Sequence, residues 1–336
     1  MHNLLTDVAG IAVGHATDLH LASGATAIIF DDMAVASGII LGGAPGTRDT
    51  RLLEPEATVP GVNAFVLSGG SAFGLDAAGG VQAWLRGQRR GWQLRDAVIP
   101  VVSQAILFDL LNGGNKDWGV FSPYRDLGYA AAQAATPGMF ALGTVGAGTG
   151  ATVPGLKGGL GSASAVTRHG HTVAALVAVN AVGSPLVGDG PHFWAAPYEV
   201  GGEFGGLGMQ PHLSADDLRP RLKGAPPSGT ATTIGLVATD ATLTKAQAKR
   251  MAIMANDGLA RALLPAHAPS DGDCVFAAAT CRRPLADISE LTEIGHVATL
   301  VMARAIARGV YEATRLPQPD ALPTWRERFG LAGIGL

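Results

Sequence analysis

A layered α/β sandwich is the fold class this sequence predicts. Short apolar runs with strand character recur between residues 27 and 180, and two long amphipathic helices lie in the last hundred residues. Strands and helices mix without a regular βα repeat. Long helices that follow a strand need a sheet face on which to bury their apolar stripes, so layers fit this pattern better than a barrel. A chain of 336 residues can bury a large core, and no internal repeat divides it, so one domain over 1–336 is expected. The 47 glycines follow no G-X-Y period and sit among apolar runs, which speaks for tight turns and close layers rather than collagen or disorder.

The strand-like runs are Ala27 to Phe30, Ala64 to Leu67, Ala97 to Val102 and Val173 to Val179. Pro100 lies inside the third and removes a ladder donor, so that run reads as an edge strand at best. Between the early strands, Ser71 to Arg86 has a helical pattern, with Leu75, Ala78, Val81 and Leu85 on one face. A helix from about Thr244 to Leu264 opens on Thr244-Lys245-Ala246-Gln247, a capping box, and carries the stripe Ala248, Met251, Ala255, Leu259, Ala262. A second helix runs from about Glu290 to Thr314. Leu291, Ile294, Ala298, Val301, Ala305 and Ile306 line its apolar face, and Pro317 stops it. The Pro/Gly-rich stretch from Gly201 to Gly229 reads as a linker between two parts of one fold.

Composition excludes several functions. Net charge is −3 and basic residues gather only briefly, at Arg86 to Arg95, so there is no electrostatic footprint for nucleic acid. Cys274 and Cys281 make neither a disulfide framework nor a zinc set. His169-Gly170-His171 and the His15/His20 pair lack metal spacing with supporting acids, so no metal or other cofactor is expected. The N-terminus lacks a basic and apolar leader, and no apolar run reaches membrane-spanning length. A cytoplasmic protein is the expectation, and the charge-poor surface suggests an oligomer. Gly146-Ala147-Gly148-Thr149-Gly150 departs from the dinucleotide fingerprint, Gly155-Leu156-Lys157-Gly158 lacks the Ser or Thr of a phosphate loop, and Phe73 stands where a nucleophile elbow needs glycine. Trp118, Phe193, Trp194 and Tyr198 are aromatics for a pocket wall or, more simply, for core packing.

The most informative stretch is Ser228-Gly229-Thr230-Ala231-Thr232-Thr233-Ile234, where the loose run ends in hydroxyls and an apolar strand begins. Two readings fit: a β-branched strand start, or the nucleophile of a chain that cuts itself.

Ala231-Thr232-Thr233-Ile234 with Val237-Ala238-Thr239-Asp240-Ala241 resembles the self-processing site of the L-aminopeptidase/D-esterase family. The resemblance spans nearly the whole chain. It includes Gly10 to His15, Gly42-Gly43-Ala44-Pro45-Gly46-Thr47-Arg48, Leu67 to Leu75, Phe108-Asp109-Leu110, Gly146 to Ala151 and Asp257 to Arg261. It implies a four-layer αββα sandwich of the N-terminal-nucleophile type, a homo-oligomer (a tetramer), and a precursor cut into 1–231 and 232–336. It also implies hydrolysis of small peptides, amides or esters. Thr232 would attack the Ala231 carbonyl, and its freed α-amine would then serve as base for its own hydroxyl.

The resemblance further implies roles for matched residues. Asp271 and Asp273, 39 and 41 positions after Thr232, look like an acidic pair of the nylon-oligomer hydrolase branch that orients the threonine and binds the substrate ammonium. Lys157 resembles a catalytic lysine and Asn180 an oxyanion donor. Gly146 and Gly148 would bring backbone to the substrate, and Phe108 stands where some members carry tyrosine. Many relatives have asparagine where this chain has Ala231, although the ornithine acetyltransferases, a similar branch, process at an Ala-Thr bond. Thr230 and Thr233 are rival nucleophiles, and the spacing to Asp271 favours Thr232. An acyltransferase of the same fold and an unprocessed binding protein remain as alternatives.

Overall fold

The computed structural model describes residues 1–224 and 231–330. Its principal strands are β1 (Ile11–Asp18), β2 (Ser23–Ile40), β3 (Val62–Ser68), β4 (Val102–Ile106), β5 (Gly159–Val166), β6 (Thr172–Asn180), β7 (Thr232–Ala241) and β8 (Cys274–Arg283). The long helices are α1 (Ala77–Gly87), α2 (Tyr124–Gln133), α3 (Lys245–Ala262) and α4 (Ile288–Tyr311).

Hydrogen bonding runs in the order β5-β6-β7-β8-β2-β3-β4, then a short strand Thr47–Arg48, with β1 on the free side of the first part of β2. Strand β2 joins two halves. Its early residues pair with β1 and β3, and Val35 to Ile40 pair with β8. The register shifts between Ile29 and Ala34, where the strand passes from one layer to the other.

Alternation along the strands then builds four layers. Ala174, Leu176 and Ala178 of β6, Ile234, Leu236 and Ala238 of β7 and Phe276 of β8 meet Ile28, Phe30, Phe65 and Leu67 in a middle core between the sheet halves. Their neighbours Val173, Ala175, Val177, Val237 and Val275 bury against α3 and α4. On the other side, Ala27, Ile29, Ala64 and Val66 bury against α1 and α2. This is the αββα sandwich that the resemblance implies. The small residues matter where layers touch: a Cβ on Gly161 of β5 would lie 1.9 Å from the Ala305 carbonyl oxygen of α4.

The helix signals in the sequence act as expected at α3, where the Thr244 hydroxyl accepts from the Gln247 N–H and the reciprocal bond closes the box. Helix α4 begins two residues before the expected Glu290, because Asp287 caps it. Two expectations change. Ser71 to Arg86 is a single turn, Ser71–Gly74, followed by α1. The third apolar run is two strands parted by Pro100: Ala97–Ile99 joins a hairpin with Trp92–Leu94, and β4 resumes after the proline inside the sheet, parallel to β3. Phe193 packs with Phe204 and Trp325 in the helix-side core, and Trp118 lies edge-on to Tyr124. From 201 to 224 the chain has no helix or strand, as a linker reading expects, and the rest of that stretch lies outside the described residues.

Phe65 and Phe276 stack across the middle core with centroids 4.5 Å apart. Phe276→Ala is expected to cost about 3–5 kcal/mol in urea denaturation, the range for removing a fully buried aromatic side chain. A loss under ~1 kcal/mol would mean that this contact does not hold the sheet halves together.

Candidate active site

The alternation that builds the middle core also places the site. Thr232 begins β7 on the face that Ile234 and Leu236 present to that core. In the antiparallel β6–β7 register its direct partner is Asn180, the last residue of β6, so both side chains stand on one face at the end of the layer. Both are buried. The Thr232 hydroxyl donates to the Ala231 carbonyl oxygen. The Gly272 N–H donates to the same oxygen at 3.1 Å.

The Asn180 amide is held from three sides. Its Oδ1 accepts from the Thr152 N–H at 3.0 Å and from Lys223 Nζ at 2.6 Å, and its Nδ2 donates to the Phe108 carbonyl at 3.0 Å. Thr152 pairs with Lys157 in a small hairpin, which links Asn180 to the second lysine. Lys157 is buried and donates to the carbonyls of Gly148, Ala151 and Gly158 at 3.0, 2.8 and 2.8 Å. Burial draws its pKa down to about 7, against the opposing pull of Asp109. Burial likewise draws Lys223 down to about 7, opposed by Asp271 and Asp109. Asp109, itself buried, accepts from Ser23 Oγ at 2.6 Å and the Gly70 N–H at 2.7 Å, and desolvation raises its pKa. Phe108, Asp109, Leu111, Lys157, Lys223 and Leu322 help to line a cavity of about 490 Å³ beside these groups.

The acidic pair sits differently from its sequence expectation. Residues of β8 at even positions face the middle core and those at odd positions face α3 and α4, which puts Asp271 and Asp273 on the helix side. Asp273 is fully buried. Its Oδ1 accepts from the Thr233 N–H at 2.8 Å, and its Oδ2 accepts from the His267 N–H and Nδ1 at 2.9 and 2.8 Å. His267 Nε2 faces the Asn256 amide of α3 at 2.9 Å. Asp273 thus fixes the start of β7 through the backbone after Thr232, and not through the Thr232 hydroxyl. Asp271 bridges Ala231 in parallel pairing, and burial with the adjacent Asp273 charge pushes its pKa up to about 8.

The structure therefore gathers Ala231, Thr232, Asn180, Asp271 and Asp273 at one end of the sheet, with Lys157 and the Phe108 carbonyl joined to them through Asn180 and its neighbours. Gly148 contributes its carbonyl to Lys157. Gly146 packs instead against Thr26 and His15, away from the cavity lining. Thr233 alternates onto the helix side, and Thr230 lies outside the described residues. Lys223, Gly272 and His267 carry no motif of their own, and Asp109, though within the Phe108-Asp109-Leu110 block, has no role assigned from sequence; tertiary pairing brings all four in. Among the described residues no three His, Cys, Asp or Glu side chains are placed to hold a metal ion, and no helix is long and apolar enough to cross a membrane.

A four-layer αββα sandwich with a hydroxyl at the buried start of a central strand is the N-terminal-nucleophile type of fold that the family resemblance implies. The comparisons agree and narrow it. The model of peptidase family S58 matches residues 3–322. An uncharacterized aminopeptidase of Mycobacterium bovis is 41% identical over 352 residues, covering 97% of this chain and 98% of its own. The fold is shared with a β-aminopeptidase of Burkholderia sp. (TM-score 0.70, 22% identity, 98% of this chain and 92% of that one). It is shared too with the L-aminopeptidase D-Ala-esterase/amidase of Ochrobactrum anthropi, described as a variant of the N-terminal-nucleophile hydrolase fold (TM-score 0.72, 21% identity, 98% and 93%). The chain belongs to peptidase family S58 and is a hydrolase.

The raised pKa of Asp271 has a consequence for stability. Between pH 3.8, the ordinary carboxyl pKa kept by the unfolded chain, and about 8, the folded chain holds a proton that the unfolded chain has released. This contribution is present below the unfolded pKa and is lost as pH rises through about 8. The melting temperature of wild type minus that of Asp271→Asn should fall from about pH 5 to about pH 8 and level off above. A difference that stays flat across this range in calorimetry would contradict the assignment.

Proposed function

We propose that this S58 hydrolase is an aminopeptidase that matures by cutting its own Ala231–Thr232 bond, giving chains 1–231 and 232–336. Thr232 then acts as the N-terminal nucleophile on small peptides, amides or esters. The observation that carries the reading is the buried Thr232 hydroxyl on its own preceding carbonyl, directly across the ladder from Asn180. The full-length likeness to relatives named aminopeptidases supports the reaction class.

In the processed enzyme the Thr232 α-amine, with an ordinary pKa of about 7.7–8.0, takes the proton of its own hydroxyl. The hydroxyl oxygen attacks the substrate carbonyl, the leaving amine or alcohol departs, and water releases the acyl group from the threonine ester. Asn180 donates to the developing oxyanion. The buried Lys157, in the fraction that stays protonated near its pKa of about 7, favours the neutral amine over the ammonium. Asp271 and Asp273 set the position of the strand start. Composition points to a cytoplasmic protein, and the family resemblance to a homo-oligomer, specifically a tetramer.

Intact-mass analysis of purified protein should give fragments ending at Ala231 and starting at Thr232. Thr232→Ala should remain one chain of 34.1 kDa with no hydrolysis of aminoacyl p-nitroanilides. A cut at another bond, or a cut in the Thr232→Ala chain, would sink the assignment. Processed Asn180→Ala should lose about 10²–10³-fold in kcat with KM little changed, as for removal of one oxyanion donor. A change confined to KM would take Asn180 out of that role.

A further inference from the structure

Self-cleavage must stabilise negative charge on the Ala231 carbonyl oxygen before any free α-amine exists. In the intact chain that oxygen already has a donor besides the attacking hydroxyl, the Gly272 N–H at 3.1 Å. Asn180 Nδ2 donates to the Phe108 carbonyl and Lys157 to three other carbonyls, so neither of those bonds goes to the scissile oxygen. We infer that the Gly272 N–H is a catalytic group of the self-cleavage step, holding the scissile carbonyl and receiving the charge that develops on it. The inference rests on the self-cleavage reading above.

Two further observations place this donor. The parallel β7–β8 register, carried back through the Ala231–Asp271 bridge, sets Gly272 level with Thr232. A Cβ added to Gly272 would stand 2.8 Å from Thr232 Oγ1 and 2.9 Å from the Ala44 carbonyl oxygen, so only glycine lets the turn approach the hydroxyl this closely. The turn is also fixed from outside. The Ala44 N–H donates to the Asp271 carbonyl at 2.8 Å, and the Leu41 and Gly42 N–H groups donate to the Asp273 carbonyl at 3.1 Å each. This gives the Gly42-Gly43-Ala44 block of the sequence a physical task. It clamps the turn that carries the donor, and a donor fixed before reaction needs no reorganisation when charge appears.

In the step itself, Thr232 Oγ1 bonds to the Ala231 carbonyl carbon and the carbonyl oxygen becomes an oxyanion against the Gly272 N–H. The carbon–nitrogen bond then breaks, and the proton lost by the hydroxyl goes to the Thr232 nitrogen, leaving an ester. Water adds to the ester carbon and the carbon–Oγ1 bond breaks. The products are the Ala231 carboxylate, the Thr232 hydroxyl and one proton.

The test replaces the amide at 272 by an ester, with glycolic acid incorporated at that position in cell-free translation of the full chain. This removes the N–H and leaves every side chain in place. Cleavage at Ala231–Thr232, followed by mass spectrometry, should slow by about 10²–10³-fold relative to wild type made the same way. An ester chain that cleaves at the wild-type rate overturns the role of Gly272 and leaves the self-cleavage reading standing. A wild-type chain that is not cut at this bond sinks both. Should the ester chain lose the protease resistance of a folded protein, both chains are refolded and compared in trimethylamine N-oxide, which favours the compact state without restoring the missing N–H. Cleavage of the protease-resistant ester chain at the wild-type rate in that solvent overturns the proposal, and the expected slowing there supports it.

Discussion

Strand register across β6, β7 and β8 is the constraint on which the site depends. Asn180 faces Thr232 because Ala178 faces Ile234 and Leu176 faces Leu236 further along the same ladder. A slip of one residue in β7 would put Thr233, Gly235 and Val237 in the middle core in place of Ile234 and Leu236, underfilling that core and overfilling the helix side, and close packing opposes it. That slip would also turn Thr232 to the helix side and bring Thr233 in. The core therefore selects between two adjacent threonines that local sequence alone cannot separate. The parallel pairing of β7 with β8 extends the same selection to the acidic turn, placing Gly272 beside the hydroxyl and Asp271 and Asp273 behind the strand.

Electrostatics follow from this placement. Lys157, Lys223, Asp109 and Asp271 lie where burial disfavours their charged forms, drawing both lysines to about 7, raising Asp109 and pushing Asp271 to about 8. Near neutral pH the site therefore holds several groups close to their titration points, in surroundings where each charge acts on its neighbours far more strongly than in water. The carbonyls of Gly148, Ala151 and Gly158 offset part of the cost of burying Lys157, which accounts for the glycine-rich turns around it. Asp273 carries another share through His267 and Asn256, a chain of hydrogen bonds that ties the start of β7 to helix α3.

The sequence made much of the frame legible because its signals are local. Thr244 and Gln247 cap α3 through contacts three residues apart, and the alternation at 173–179 survives as a strand with both faces buried. Pro100 misled for a local reason as well. It does break a strand, but β4 resumes two residues later in the sheet interior, where no side-chain pattern marks the change. The family motifs name Thr232, Asn180, Lys157 and the acidic pair as a candidate site, and the fold brings these residues to one end of the sheet. Lys223 and His267 were not legible, because a lysine in a loop and a histidine after a helix acquire meaning only when distant segments fold onto them. Gly272 lay in plain view between two aspartates, yet its contribution is a backbone N–H, which no residue letter records.

The same geometry bears on how one residue can serve two reactions. In the intact chain the Thr232 nitrogen is an amide and cannot act as a base, so the burden falls on the fixed backbone donor and on the surrounding groups. Under the proposed self-cleavage that nitrogen becomes an amine, and its strand partner Asn180 is bonded to Lys223 and tied through Thr152 to the hairpin of Lys157, whose protonated forms would disfavour added positive charge. Asp271 would counter this only when ionised, and burial keeps it protonated below about 8. In the proposed mechanism the amine is thereby favoured in its neutral, proton-accepting form where Asp271 carries no charge. Burial of Asp271 behind the strand thus favours, in that mechanism, a new N-terminus that acts as its own base.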